Sequence, residues 1–244
     1  MNAQIRQRAK QILENNLGTF LIAGFIFACI TYIANRFGNN SGYTYTSGSL
    51  VAAAGKIGNG VGTIIRGTIT AFVSAAQACF YFRAFNRGRP ELGDIIHPVS
   101  GNETSSAFFR ILLSYWIIFI GMVVLTALSI FLIWFLAPVL LALGVIILNL
   151  VWYLFAANPY YPTRYYFKAV FRYLGNHIFG YIFFMIGTVL LPALGIGLVA
   201  LIPILGALLV FIGSAILSVY AGLAGAGYIN AMIPDEWFSG TATF

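Results

Sequence analysis

The side chains that could carry acid–base or metal chemistry are few in this sequence. Its six carboxylates are Glu14, Glu91, Asp94, Glu103, Asp235 and Glu236. None lies in the middle of a long apolar stretch, where a carboxylate proton relay would need one. Asp94 and His97 are three residues apart, but Pro98 follows and further ligands are lacking nearby. We therefore predict no catalytic residue, no metal site and no cofactor.

Three polar side chains interrupt the apolar stretches and are candidates for binding a substrate: Arg66, Gln77 and Asn149. A cation inside a membrane is by default a functional candidate. Arg66, however, is close enough to a predicted helix end for its head group to reach the headgroup layer. Gln77 and Asn149 would also serve as hydrogen bonds between helices. Both interpretations stay open.

A basic stripe occurs between two apolar stretches. Arg164, Lys168 and Arg172 recur every fourth residue, which places them on one face of a helix. Aromatic residues surround them, and tyrosine is favoured at the depth of lipid headgroups. Residues 161–174 are therefore predicted to form an interfacial helix that anchors the chain to the cytoplasmic leaflet, where anionic lipid attracts each cation by about 1 kcal/mol. A specific site for anionic lipid or for a partner protein is the alternative.

Two stripes of small residues predict close helix packing. The first comprises Gly67, Ala71, Ala75 and Cys79, and the second comprises Ser214, Ser218, Gly222 and Ala226. Small residues at this spacing let helix backbones approach closely, which is a main source of helix association in lipid. The stripes indicate packing inside one bundle. A homo-oligomer or a membrane-protein partner is the other interpretation.

The charge distribution indicates that membrane-spanning helices position the residues named above. Ile111–Thr163 and Tyr173–Pro234 contain no Asp, Glu, Lys or Arg, and charged residues make up 8% of the chain. A soluble domain carries about 25%. A span of the hydrocarbon core needs about 20 apolar residues, so each stretch can hold two spans. The cations sit at predicted helix ends, so membrane topology explains the net charge of +7 and no nucleic-acid partner is predicted.

The predicted fold is an all-α, polytopic six-helix transmembrane bundle with short amphipathic interfacial helices. Pro138 is expected to divide the first charge-free stretch, and Pro192 with Pro203 the second. Residues 1–16 are expected to form an amphipathic helix on the membrane surface, with Ile5, Ala9, Ile12 and Leu13 on its apolar face. Residues 233–244 are a predicted tail. The predicted spans are residues 17–35, 61–82, 107–131, 139–156, 176–191 and 204–231.

Orientation follows from the cations. With the N-terminus in the cytoplasm, ten of the 13 Lys and Arg residues lie inside, and Arg36, Lys56 and Arg66 lie outside. This is a strong positive-inside bias. The sequence therefore predicts a multi-pass protein of the cell membrane with both termini cytoplasmic.

Three features together resemble a known family. They are the helix Arg6–Asn16 that runs straight into the first span, the loop after Tyr81–Gly88, and the basic aromatic helix led by Asn158–Pro159. This organisation is similar to that of the bacterial integral membrane proteins of the domain-of-unknown-function 975 family. The resemblance implies a six-span membrane fold and supplies no activity.

Two functions are compatible with these patterns. The first is a non-enzymatic scaffold or accessory subunit that acts through helix packing and partners. The second is a transporter or channel for an apolar or lipid-like substrate, which the interrupted helices near Pro138 and Pro192 would favour. A membrane enzyme ranks third, because its nucleophile or metal site would have to come from residues that the sequence does not offer.

Overall fold

The computed structural model of the chain describes residues 1–38, 50–96, 104–132, 136–199 and 205–240, and within these ranges it is helical without strands. The all-α prediction is confirmed. The α-helices are α1 Asn2–Asn15, α2 Leu17–Gly38, α3 Leu50–Arg87, α4 Thr104–Leu132, α5 Leu136–Ala157, α6 Thr163–Ala169, α7 Ile178–Val199, α8 Leu205–Asn230 and α9 Asp235–Phe238. A 3₁₀ turn, Leu92–Ile95, lies between α3 and α4.

Four of these helices contain a segment long and apolar enough to cross a membrane. The segments are Leu17–Ala34, Gly62–Arg87, Ile178–Gly197 and Leu209–Asn230. In the described parts of α4 and α5, the apolar segments Phe109–Leu125 and Leu143–Ala157 are shorter. The described residues are therefore compatible with a multi-pass membrane protein.

The long helices alternate in direction. The ends of α3, α5 and α8 come together, because the Tyr153 hydroxyl of α5 donates to the Gly222 carbonyl and the Tyr81 ring of α3 lies against Gly222. The starts of α2 and α7 lie at the same end, where Phe20 contacts Phe80 and Tyr181 contacts Tyr228 at centroid distances of 5.5 Å. We call this the capped end, because α1, Leu92–Ile95, α6 and α9 all pack there.

The N-terminal helix differs from its prediction in what it packs against. The predicted face of Ile5, Ala9, Ile12 and Leu13 is buried as expected. That face lies on α8 and α3: a Cβ built on Gly227 would come within 2.9 Å of Ile5. An apolar stripe must be buried somewhere, and the protein offers a close-packed partner for it.

Two prolines do not break the helices where the sequence predicted. Pro138 is the third residue of α5 and therefore lies inside a helix. A proline in the first turn costs little, since those N–H groups have no partner within the helix. Pro192 lies inside α7, which continues to Val199. It leaves the Thr188 carbonyl without its helical hydrogen bond, a cost that membrane helices tolerate where neighbouring groups compensate.

Two helix boundaries also differ. α3 begins at Leu50, eleven residues before the predicted start at Val61, so the glycine-rich run before Val61 is helical. Extending a formed helix adds one hydrogen bond per residue, which offsets the weak propensity of glycine. The predicted interfacial helix 161–174 and the predicted span 176–191 have no break between them. A π turn at Val170–Leu174 and a 3₁₀ turn at Gly175–His177 join α6 to α7.

Candidate functional site

The C-terminal segment closes the capped end through one tryptophan. Trp237, in the short helix α9, is fully buried, and its indole N–H donates to the Leu154 carbonyl at 3.2 Å. Its ring lies 4.4 Å from the Tyr161 ring and 5.8 Å from the Tyr166 ring, between centroids. Pro234 precedes α9 in an extended conformation. Gly240, which follows α9, has a φ of +77°, a value that favours glycine. A residue near the chain terminus is thereby part of the core.

Asn158 connects three segments of the capped end. Its side-chain amide donates to the Trp237 carbonyl at 3.0 Å, and its side-chain oxygen accepts the Tyr160 N–H at 3.1 Å. Its own carbonyl accepts the Tyr166 hydroxyl at 3.0 Å. Asparagine favours this role because its side chain can replace a backbone turn where α5 ends before Pro159. Burial raises the pKa of Tyr166 well above its ordinary value, so the hydroxyl stays a donor at physiological pH.

A cluster of charges holds the segment after α3. Asp94 is buried, and its carboxylate lies 3.1 Å from both Arg83 and Arg87. Arg87 also pairs with the exposed Glu91 at 3.2 Å. A buried carboxylate needs such partners, because desolvation would otherwise be costly. Asp94 is therefore a structural anchor. His97, which was considered with Asp94 as a possible metal ligand, lies outside the described residues.

A cavity of about 520 Å³ opens beside these two groups. It lies between the end of α5, the turn at Asn158–Tyr161, Arg83 of α3 and the C-terminal segment. It is lined by Arg83, Ala156, Ala157, Asn158, Pro159, Tyr160, Tyr161, Phe238, Ser239 and Gly240. Ligand cavities of this size are ordinary in proteins.

Arginines attach α1 to the bundle. Arg6 donates to the Thr188 hydroxyl and to the Phe184 carbonyl, each at 3.0 Å, and its guanidinium lies 5.0 Å from the Phe184 ring centroid. Thr188 is buried and four residues before Pro192. Arg8 donates to the Phe85 carbonyl at 3.0 Å, at the end of α3. The N-terminal helix is thus bonded to α7 and α3 as well as packed on α8.

The three predicted substrate-binding residues differ in their exposure. Arg66 and Asn149 are exposed, and Gln77 is half-buried. Arg66 accepts a hydrogen bond at its carbonyl from Thr70, within its own helix. Asn149, for which substrate binding and a hydrogen bond between helices were both left open, is exposed on α5.

The basic stripe lies on the outer surface of α6 and the π turn. Arg164, Lys168 and Arg172 are exposed, as is Phe171 at 69%. Phe167, Lys168, Phe171 and Arg172 line an open groove of about 510 Å³. The opposite face carries the buried Tyr166, Ala169 and Val170. One face of this segment therefore belongs to the core and the other presents cations with apolar rings.

The small-residue stripes divide into buried and exposed parts. Ala71, Ala75 and Ala226 are fully buried. Gly67 faces the Tyr115 side chain of α4, and a Cβ on Gly222 would come within 2.5 Å of the Tyr81 ring. Ser214 and Ser218 are exposed, so the α8 stripe packs within the chain only over its second half. Gly67 and Gly222 thus face aromatic rings of other helices. A pattern of small residues along one helix does not show which ring on another helix lies against it.

The sequence did not single out Arg6, Arg8, Asn158 and Trp237 as functional residues. The one signal available was composition, since a tryptophan in a polar terminal segment and an Asn-Pro pair after an apolar run are both unusual. Among the described residues, no group of three or more His, Cys, Asp or Glu is placed to hold a metal ion. No protein-family model, curated protein or solved structure matches this chain. The function is therefore inferred from the geometry.

Proposed function

We propose that the chain is a six-span protein of the cell membrane with both termini in the cytoplasm. The backbones of α4 and α5, with 29 and 22 residues, are long enough to join the four membrane-length helices. The capped end would face the cytoplasm, because Arg6, Arg8, Arg83, Arg87 and Arg110 lie there, in agreement with the positive-inside rule. The family resemblance described above implies the same span count.

The function that this architecture supports best is that of a non-enzymatic scaffold or accessory subunit. One observation carries it: the polar side chains of the capped end bond segments of the same chain to one another. Asn158 joins α5, α6 and the C-terminal segment, and Asp94 joins the loop after α3 to that helix. Groups engaged in this way produce a rigid platform on which partners can assemble.

The partners would be membrane lipid and a second membrane protein or a second copy of the chain. The exposed cations of α6 suit anionic lipid on the cytoplasmic face. Phe25, Phe109, Phe183 and Phe211, on α2, α4, α7 and α8, are each 66–72% exposed. A surface of this kind faces either lipid tails or another transmembrane helix.

A transporter for an apolar or lipid-like substrate is the second candidate. Pro192 lies inside α7 and frees the carbonyl of Thr188, the residue whose hydroxyl accepts a hydrogen bond from Arg6. Transporters build their sites from interrupted helices of this kind. Movement of Arg6 away from Thr188 would then be the opening step.

The test separates the two candidates. A photo-cross-linking residue is placed in turn at Phe25, Phe109, Phe183 and Phe211, and the chain is irradiated in the membrane of the cell that naturally produces it. A scaffold gives a discrete protein adduct from at least one face. The purified chain in phosphatidylethanolamine–phosphatidylglycerol vesicles should then leave fluorescent lipid in its original leaflet. Lipid movement without adducts at any position would favour the transporter and contradict the scaffold.

A further inference from the structure

We propose that the groove on α6 and the π turn binds one anionic phospholipid, with its phosphate at Lys168 and an acyl chain along Phe167 and Phe171. This inference deepens the proposed partnership with anionic lipid, and it rests on the membrane setting proposed above. Diffuse attraction to a charged leaflet needs only cations near its surface. A site for one molecule also needs a shaped surface that contacts the headgroup and the chain together.

The groove consists of two adjacent rows of side chains. Phe167 and Phe171 form the apolar row, and Lys168 and Arg172 form the cationic row. Residues four apart lie above one another on a helical segment, so the cationic row runs beside the apolar row. The volume of about 510 Å³ is within the range of ligand sites. A charged headgroup followed by an acyl chain matches this arrangement.

Lys168 is the cation best placed to hold the phosphate. Arg172 lies over the Tyr173 ring, at 5.8 Å from its centroid. Arg164 lies over the Tyr165 ring at 5.4 Å. Lys168, between them, is exposed and makes no hydrogen bond or ion pair with any described residue. Its long stem can follow the apolar row while its ammonium group stays among the headgroups, and lysine is a common ligand of phosphate.

The exposed ring of Phe171 indicates what covers the apolar row. Its side chain is 69% exposed, although its neighbour Val170 in the π turn is buried. The candidate span begins shortly afterwards at Ile178, and Phe179 is 70% exposed. Exposed apolar rings thus occur on both sides of the point where the span begins. The upper part of an acyl chain lies at that depth of a bilayer.

The charge of the groove selects among phospholipids. Phosphatidylcholine and phosphatidylethanolamine carry a cationic group beside the phosphate, which the cations of the groove repel. Phosphatidylglycerol has a net negative charge and no such group. A soluble phosphate ester with the same headgroup would leave Phe167 and Phe171 uncovered. An anionic phospholipid is therefore the occupant that suits both rows.

The test uses the full chain in nanodiscs of phosphatidylcholine that contain a minor share of phosphatidylglycerol. Native mass spectrometry counts the phosphatidylglycerol molecules retained per chain as that share is raised. In about 0.5 M ammonium acetate the Debye length is about 4 Å, so diffuse attraction is largely screened. Retention should saturate at one molecule, and glycerol 3-phosphate should not displace it. Absent retention, retention without saturation, or displacement by glycerol 3-phosphate would overturn the proposal.

Lys168→Gln and Arg164→Gln form a matched pair for the cationic row. Each removes one positive charge from the same exposed stripe, but only Lys168 of these two lines the groove. Lys168→Gln should weaken retention about tenfold or more, since a charge-assisted hydrogen bond is lost, whereas Arg164→Gln should change it less than about threefold. Equal weakening by both variants would mean diffuse attraction and would overturn the site.

A second pair tests the apolar row. Phe171→Ala removes a ring from the groove, and Tyr160→Ala removes a ring that is 67% exposed and lies outside the groove. Because both rings are mostly exposed, both variants are expected to fold, which the melting temperature checks. Phe171→Ala should weaken retention about threefold or more, since dispersion contacts along the acyl chain are lost. Equal retention by the two variants would show that the rings hold no chain and would overturn the proposal.

Failure of this site and failure of the scaffold give different results. The nanodisc contains no partner protein, so retention of phosphatidylglycerol does not depend on one. Absent retention together with protein adducts at the four cross-linking positions named above overturns the lipid site alone. Saturable retention without adducts at any of those positions supports the lipid site and contradicts the scaffold.

Discussion

The N-terminal helix α1 and the segment Thr163–Leu174 share one kind of sequence pattern but occupy different environments. Both are short, basic and amphipathic, and the sequence predicts both to lie at the membrane surface. In the structure, α1 directs Arg6 and Arg8 into hydrogen bonds with α7 and α3. The second segment directs Arg164, Lys168 and Arg172 outward and buries its other face. Amphipathicity therefore determines which face is buried, and the neighbouring surface determines what buries it.

The largest effect is expected where the second segment is anchored. Trp237→Ala removes a fully buried ring from between Tyr161 and Tyr166. A deletion of this size in a core costs about 3–5 kcal/mol in the free energy of unfolding. Limited trypsin digestion of the chain in nanodiscs should then cleave at Arg164 and Lys168 much faster.

Phe238→Ala is the control for that measurement, because Phe238 follows Trp237 in the chain but is 39% exposed. It should leave the trypsin sites protected. If Trp237→Ala also leaves them protected, the segment is held by lipid alone and the anchoring role of α9 is wrong.

The next effect concerns what the outward cations bind. Replacing Arg164, Lys168 and Arg172 together by Gln should lower the retention of phosphatidylglycerol by the chain in mixed nanodiscs, by about 1 kcal/mol for each cation at low salt. The difference should shrink as salt rises, since the attraction is screened over a Debye length of about 8 Å at physiological ionic strength.

Replacing Arg6 and Arg8 by Gln is the matched control, since these two cations are bonded to protein. Their loss should leave lipid retention close to that of the native chain. Equal losses of phosphatidylglycerol in both variants would remove the distinction between the two segments.

A smaller effect is expected for the arginine that enters the bundle. Arg6→Ala removes hydrogen bonds to Thr188 and Phe184, and bonds to a charged group contribute about 1.5–3 kcal/mol. Hydrogen exchange of the α1 amides should speed up accordingly. Lys10→Ala should change exchange little, since its pair with Glu14 is exposed on both sides and such pairs contribute about 0–1 kcal/mol. Matching exchange rates in the two variants would show that Arg6 does not hold α1.

Sequence periodicity was sufficient to predict local faces and insufficient to predict their partners. The buried positions Ile5, Ala9, Ile12 and Leu13 follow from the 3.6-residue period alone. Pro192 did not end α7, because a helix in a bundle can tolerate a proline that an isolated helix does not. The contacts of Trp237 and Asn158 join residues about 80 positions apart, and no local pattern encodes such a distance. The candidate cavity was unpredictable for the same reason.

The most direct test is a disulfide between α1 and α8. Cys29 and Cys79 are first replaced by Ala, and Phe85 is also replaced by Ala because a Cβ at position 227 would lie 2.4 Å from its ring. Ile5→Cys is then combined with Gly227→Cys, since a Cβ at position 227 would lie 2.9 Å from the Ile5 side chain. Lys10→Cys with Gly227→Cys is the control, because Lys10 faces outward. Mild oxidation in membranes should link the first pair rapidly and leave the second pair reduced. Failure of the first pair to link, or equal linking of both, would contradict the packing of α1 on the bundle.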